Sequence, residues 1–236
     1  MIATDMFRRR LMSTEGGDSG YITATFDVLD ISGPTQILGI SYTKDRYDLR
    51  QIKSMKIDGV DVEPVHEYQF STTGLHTVVL TMVRKFTDME ILFIGCTYLD
   101  SVDLRYVDTS NVTKMIAPFT ATVSGRKINL REILGLDTIS YRNVESMLGF
   151  FGWCNITELD FGRQDLSSVT DMTSLVGSAE QLTSLKILGP VNPEAVVTDM
   201  FRFVRTAGTF YYNPAYNYQH IIAQLPATWM AVPVIS

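Results

Sequence analysis

Cysteine is scarce in this chain: Cys96 and Cys154 are the only two in 236 residues. That excludes a disulfide-rich secreted scaffold, and no Cys/His pair stands at the short spacing that structural zinc requires. Histidine is equally thin, with His66, His76 and His220 isolated from one another, so the sequence offers no converging set of metal ligands. Long apolar runs are missing too. The longest aliphatic and aromatic run, residues 91–94, is far short of the ~20 residues that a membrane-spanning helix needs. No apolar stretch follows Arg8-Arg9-Arg10 within residues 1–20, so that segment does not read as an export signal. Basic residues are in deficit: 20 Lys plus Arg against 26 Asp plus Glu give a net charge of −6. That balance argues against a sequence-independent grip on nucleic-acid phosphates.

What is present is apolar and patterned. With 45% hydrophobic and 19% charged residues, the chain can bury a sizeable core, and its length suits one large or two small domains. Residues 1–20 lack a clear period and contain Gly16-Gly17, which reads as an N-terminal arm. Over residues 21–29, 36–42, 52–57, 60–63, 65–70 and 76–82, β-branched and aromatic residues alternate with turn residues, the texture of successive short strands. Asp58-Gly59 suits a type I′ hairpin turn, whose two central residues both need positive φ. Residues 21–85 are therefore expected to form a small Ig-like β-sandwich.

Beyond residue 85 the chain repeats itself. Thr87-Asp-Met89, Val112-Thr-Lys-Met115, Val144-Glu-Ser-Met147, Val169-Thr-Asp-Met172 and Val197-Thr-Asp-Met200 place methionines 26, 32, 25 and 28 residues apart, the last four with valine three residues earlier. Upstream, Val102-Asp-Leu104, Leu134-Gly-Leu136 and Leu159-Asp-Phe161 lie 13 and 11 residues before their methionines. Leu99, Ile156 and Leu182 extend these strands backwards, whereas the second unit has Arg131 there and reads as the degenerate copy. A unit of one strand and one return segment cannot bury its own apolar face, so neighbours must stack into a solenoid with a continuous core. The period suits leucine-rich repeats. The tyrosine-rich residues 208–236 break it and read as a cap built from a strand and a short helix. The expected architecture is mainly β: arm 1–20, sandwich 21–85, leucine-rich-repeat solenoid 86–207 and C-terminal cap 208–236.

Phe93-Ile-Gly-Cys96, Leu99, Val102-Asp-Leu104 and Val112-Thr-Lys-Met115 in order resemble the BspA-type leucine-rich repeat of bacterial surface proteins. The pattern recurs from Phe151-Gly-Trp-Cys154 through Leu159-Asp-Phe161 to Val169-Thr-Asp-Met172, while Arg131 and the lengthened second unit depart from it. Such repeats are similar to those of adhesins and of virion proteins of phages that infect gut bacteria. The resemblance implies binding, not catalysis.

Tests for chemistry point the same way. Gly17-Asp18-Ser19-Gly20 looks like the chymotrypsin-type nucleophile segment, but no histidine precedes Ser19, whereas in that family the base does. Asp58, Asp61 and Glu63 lack the glycine and final glutamate of a calcium loop, and no phosphate-cradling glycine motif occurs. No enzyme activity, cofactor or metal is expected. The two cysteines are expected as small buried hydrophobes. Residues between inward leucines should stand outward on the sheet, which gives Asp103, Arg105, Asp137, Glu158, Asp160 and Lys186, with Ser101 and Ser184, as the candidate binding face. Phe7, Arg8, Arg9 and Arg10 are the candidate docking arm. The reading is a non-enzymatic phage virion protein, a fibre, capsid decoration or tail component, since a protein released by lysis needs no export. The alternative is a bacterial cell-surface adhesin or glycan-binding module. The expected partners are other virion proteins and a host surface protein or glycan. Copies should form a homo-oligomer through the arm and the sandwich, without nucleic acid or membrane insertion.

Overall fold

The computed structural model describes residues 19–41, 43, 45–121 and 127–235, so the docking arm Phe7 to Arg10 lies outside them. Strand β1 (Tyr21–Val28) follows from its alternation: Ile22, Ala24, Phe26 and Val28 are buried, and the residues between them are partly open, as a period of two requires. β2 (Thr35–Gln36), β3 (Ile52–Ile57), β4 (Val60–Val62), β5 (Glu67–Tyr68) and β6 (Gly74–Met82) come next. The hairpin between β3 and β4 turns as its sequence predicts, with φ of 49° at Asp58 and 83° at Gly59. The strands expected over 36–42 and 65–70 shrink to β2 and β5, a two-residue pair. Gly39 is diverted instead into the solenoid, donating its N–H to the Leu92 carbonyl at 2.8 Å.

β7 (Leu99–Asp103) and β8 (Glu132–Leu134) complete a sheet of order β4-β3-β6-β1-β7-β8. β1 is antiparallel to both neighbours, Ala24 facing Val78 on β6 and Val102 on β7. The boundary expected at residue 85 is thus no break: the N-terminal strands and the first solenoid strands are one hydrogen-bonded sheet. Each solves the other's edge problem, since an open strand edge and an open solenoid end both need covering. β9 (Glu158–Asp160), β10 (Ser184–Ile187), β11 (Gly208–Tyr212) and β12 (Trp229–Pro233) form a second, parallel sheet in which Leu159, Leu185, Phe210 and Ala231 stand in register. A short helix, α1 (Gln219–Ile222), precedes β12. The molecule is mainly β with a β-solenoid of about 3 turns. One apolar core runs through it from Ile22 to Trp229.

The methionine elements stack. Single bridges link Asp88, Lys114, Ser146, Asp171 and Val196 in sequence, and Met89, Met115, Met147 and Met172 are fully buried beside them, as are Val112, Val144 and Val169. The last unit departs from the sequence alignment. Met147 donates its N–H to Asp171 O and Met172 to Val196 O, both at 2.8 Å. The residue stacked on Met172 is therefore Val197. Met200 is buried three residues further on, where its carbonyl accepts the Val176 N–H at 3.1 Å. A second column reports the same register: Phe93, Phe119 and Phe151 each follow their methionine by four residues, and their rings stack at 6.0 and 5.5 Å. Phe201 follows Val197 by four.

The second unit also needs correction. β7 and β8 pair Val102 with Ile133 rather than with Leu134. One residue along, Leu130 is buried where Arg131 had been aligned with Leu99. Leu136 then reaches the core past Gly135, whose φ is 91° and at which a Cβ would stand 2.7 Å from the Arg105 nitrogen. The unit is not degenerate; it accommodates an extra residue through a glycine kink.

Candidate binding face

The outward residues of β7 to β10 form an accessible, charged surface, but they do not form one uniform row. Asp103, the last residue of β7, pairs with Arg105 at 2.8 Å, and the carboxylate's hydrogen bonds raise the Arg105 pKa above its ordinary value. Arg131 turns away from the core to pair with Asp100 and, at 3.9 Å, with Asp27 on β1. Lys186 and Asp160 pair at 2.8 Å across β10 and β9. Side chains so tethered present fixed charges, although each exposed pair adds little stability.

Between β8 and β9 the ladder opens. A bridge joins Ile128 to Cys154 before the gap, and Gln164 Nε2 donates to Asp137 O at 2.5 Å after it, yet no strand pairing connects β8 with β9. The result is a cleft of about 430 Å³ lined by residues 131–137 with Thr157, Glu158 and Asp160. Glu158 and Asp160 also line an adjoining cleft of about 380 Å³ that continues to Ser184, Lys186, Tyr211 and Val234. The extra residue of the second unit falls at Gly135, just after β8, on the wall of this cleft. Of the expected face, Asp137, Glu158, Asp160 and Lys186 are brought together here, and Asp103 and Arg105 stay at the β7 side. Sequence reasoning missed Arg131, Glu132 and Thr157 as lining residues, and it left Tyr211 between a cap and an interface role. The 32-residue spacing between Met115 and Met147 was the available signal that neighbouring strands would part at this point. Carboxylates along such a cleft accept hydrogen bonds from hydroxyl, ammonium or guanidinium groups, and Tyr211 supplies a flat apolar surface beside them.

Ser19, His66, His76 and the two cysteines have structural roles, whereas both ring nitrogens of His220 are buried with no hydrogen-bond partner among the described residues. Ser19 is buried, with its Oγ accepting the Phe86 N–H at 3.3 Å. His66 Nε2 lies 2.9 Å from Tyr47 O, and His76 is held between Asp58 and Thr72. Cys96 and Cys154 are free and fully buried, each three residues after the stacked Phe93 and Phe151; burial pushes the Cys154 thiol up to about 12. Among the described residues no group of His, Cys, Asp and Glu is arranged to hold a metal ion, and no helix is long and apolar enough to cross a membrane. Comparison with family models, curated proteins and solved structures finds no match to this chain.

Proposed function

We propose that this chain is a non-enzymatic binding protein, a BspA-type leucine-rich-repeat solenoid with a C-terminal cap, whose Ig-like N-terminal module shares its larger sheet with the first repeats. The observation that supports it best is the pair of adjoining clefts across β8 to β11, joined through Glu158 and Asp160. They lie on a face whose backbone is fixed by stacking and on which Arg131, Asp160 and Lys186 are held by ion pairs, so a ligand meets a pre-organised surface. We assign it to a virion, as a fibre, capsid decoration or tail component that contacts another virion protein or a host surface molecule, on the resemblance of its repeats. Mass spectrometry of purified particles tests the setting: peptides of this chain should be enriched in particles, and enrichment in a bacterial envelope fraction instead would move the protein to the cell-surface adhesin reading. The charge reversals Glu158→Lys and Asp160→Lys, in protein shown to be folded, should abolish partner binding or particle incorporation. Unchanged incorporation of both variants rejects the clefts as the contact.

A further inference from the structure

From each methionine onward the return segments stack through hydrogen bonds that run in one direction, while just ahead of it the N–H groups of Thr113, Glu145, Thr170 and Val196 donate the opposite way, to carbonyls of the preceding segment. In the first segment the N–H groups of Met89, Ile91, Phe93 and Gly95 donate to carbonyls of residues 114, 116, 118 and 120. Those of Met147, Gly149, Phe151 and Trp153 donate to residues 171, 173, 175 and 177, and those of Met172, Ser174, Val176 and Ser178 to residues 196, 198, 200 and 202. Between them Ala117 and Ala121 donate likewise to residues 148 and 152. A column of left-handed residues sustains this geometry, with φ of 55° at Ile91, 50° at Ala117, 61° at Gly149, 52° at Ser174 and 55° at Asp199. A second column repeats it at Gly95, Trp153, Ser178 and Phe203, with φ between 61° and 75°.

A one-way column has two unlike ends. Its acceptor end is closed by the N-terminal module: Tyr47 Oη donates to Asp88 O at 2.9 Å, Gly39 N to Leu92 O at 2.8 Å and Gln36 Nε2 to Ile94 O at 2.6 Å. The donor end is the last segment. There the N–H groups of Val197, Asp199, Phe201 and Phe203 occupy the donating positions, and none has an acceptor among the described residues. Exposed apolar side chains flank this row, Val196 at 51% and Phe203 at 48% exposure. Arg202 lies over the Phe203 ring at 4.7 Å. A groove of about 190 Å³ leads along the outer surface past Trp153 and Ser178 to Arg202 and Phe203.

We infer that this end of the solenoid docks a carboxylate-bearing peptide segment of a partner protein. Successive N–H groups aimed one way carry partial positive charge and form an acceptor-seeking edge; at its rim Arg202 is paired with Asp199 at 3.3 Å, so the attraction comes from the N–H groups and not from a free cation. Carbonyls and carboxylates meet that edge, and an apolar side chain beside them covers Val196 or Phe203. A second copy stacked end to end does not meet it, because the carbonyls that it would offer are those already closed by Tyr47, Gly39 and Gln36. This surface lies apart from the β8 to β11 clefts, so the two assignments stand or fall separately.

The test uses the whole isotope-labelled chain and a synthetic peptide of alternating glutamate and leucine. Its addition should shift the backbone amide signals of Val197, Asp199, Phe201 and Phe203 while leaving the internally bonded amides of Met172, Ser174, Val176 and Ser178 in place. Phe203→Ser keeps a residue type that the equivalent Ser178 carries at φ 63°, and should weaken binding about tenfold. Equal shifts with an alternating lysine and leucine peptide, the same shifts with inorganic phosphate alone, or unchanged affinity in folded Phe203→Ser would each overturn the proposal.

Discussion

The antiparallel strands β1, β3, β4 and β6 and the parallel strands β7 to β12 share one core but set their register by different means. In the antiparallel part, register is local. Asp58-Gly59 fixes the β3 and β4 hairpin, and the alternation of β1 carries through eight consecutive pairs with β6. In the parallel part each strand is only 3 to 5 residues long, and successive strands are separated by 16 to 28 residues of return. Nothing local tells such a strand which residue of its neighbour to face. Register there comes from which side chains stack, methionine on methionine and phenylalanine on phenylalanine, and a change of length in one return segment is absorbed wherever the stack allows.

The largest effect should come from cutting the stack itself. Phe119 touches Phe93, Phe150 and Phe151 at 5.5 to 6.0 Å and is fully buried. Phe119→Ala should cost ~3–5 kcal/mol, read by urea denaturation. Because the sheet is continuous from β6 to β8, both regions should still unfold in one transition. Two separate transitions would show that the shared sheet does not couple them.

A smaller effect belongs to the antiparallel region alone. His76 Nδ1 lies 2.7 Å from an Asp58 carboxylate oxygen and its Nε2 2.9 Å from Thr72 O. Both partners accept, so the ring donates from both nitrogens as an imidazolium. Burial opposes that charge, but the bonds to Asp58 and Thr72 outweigh it and leave the His76 pKa raised above 6.5. Its stabilisation is therefore complete below pH 6.5 and is lost as pH rises through the raised value of the folded state. Burial likewise opposes the charge on Asp58, yet its hydrogen bonds to His76 and Thr77 leave its pKa lowered, so its share is lost only as pH falls through that lowered value. Asp58 is half exposed, which screens the pair. His76→Gln should cost about 1 kcal/mol at pH 6 and less at pH 9. An equal cost at both pH values would rule out the charged ring.

The smallest effect sharpens the register of the parallel region. If Val197 stacks on Met172, Val197→Met extends an existing column at its partly open end and should change stability by less than about 1 kcal/mol. If Met200 held that position instead, the added bulk at residue 197 would overpack the core and cost ~1–3 kcal/mol. Thermal melting of the single variant distinguishes the two.

The hairpin at Asp58-Gly59, the alternation of β1, the solenoid and the burial of its methionines were all legible because each rests on a short-range or periodic signal. The register of the last unit was misread because Val197-Thr-Asp-Met200 copies Val169-Thr-Asp-Met172 in letters, while the structure aligns it three residues away. The four-residue spacing from Val197 to Phe201, matching Met89 to Phe93, carried the correct alignment in plain sight. The candidate face was legible as a set of outward charges. Its grouping was not, because the clefts exist only where β8 and β9 fail to pair, and Arg131 lines one only because Leu130 has taken the buried position beside it.

The sequence alone determined that the chain folds as short strands with a stacked repeat, since the periodicity of its apolar residues leaves them no other way to be buried together. Tertiary structure decided the rest. It joined β1 to β7 because two open edges cover each other, it placed the extra residue of the second unit beside the β8 and β9 gap, and it left four N–H groups without an acceptor among the described residues at the end of the methionine column opposite to the one that the N-terminal module closes. Those outcomes depend on which segments meet across long stretches of chain, and hydrogen-bond direction and edge closure are settled only when they do.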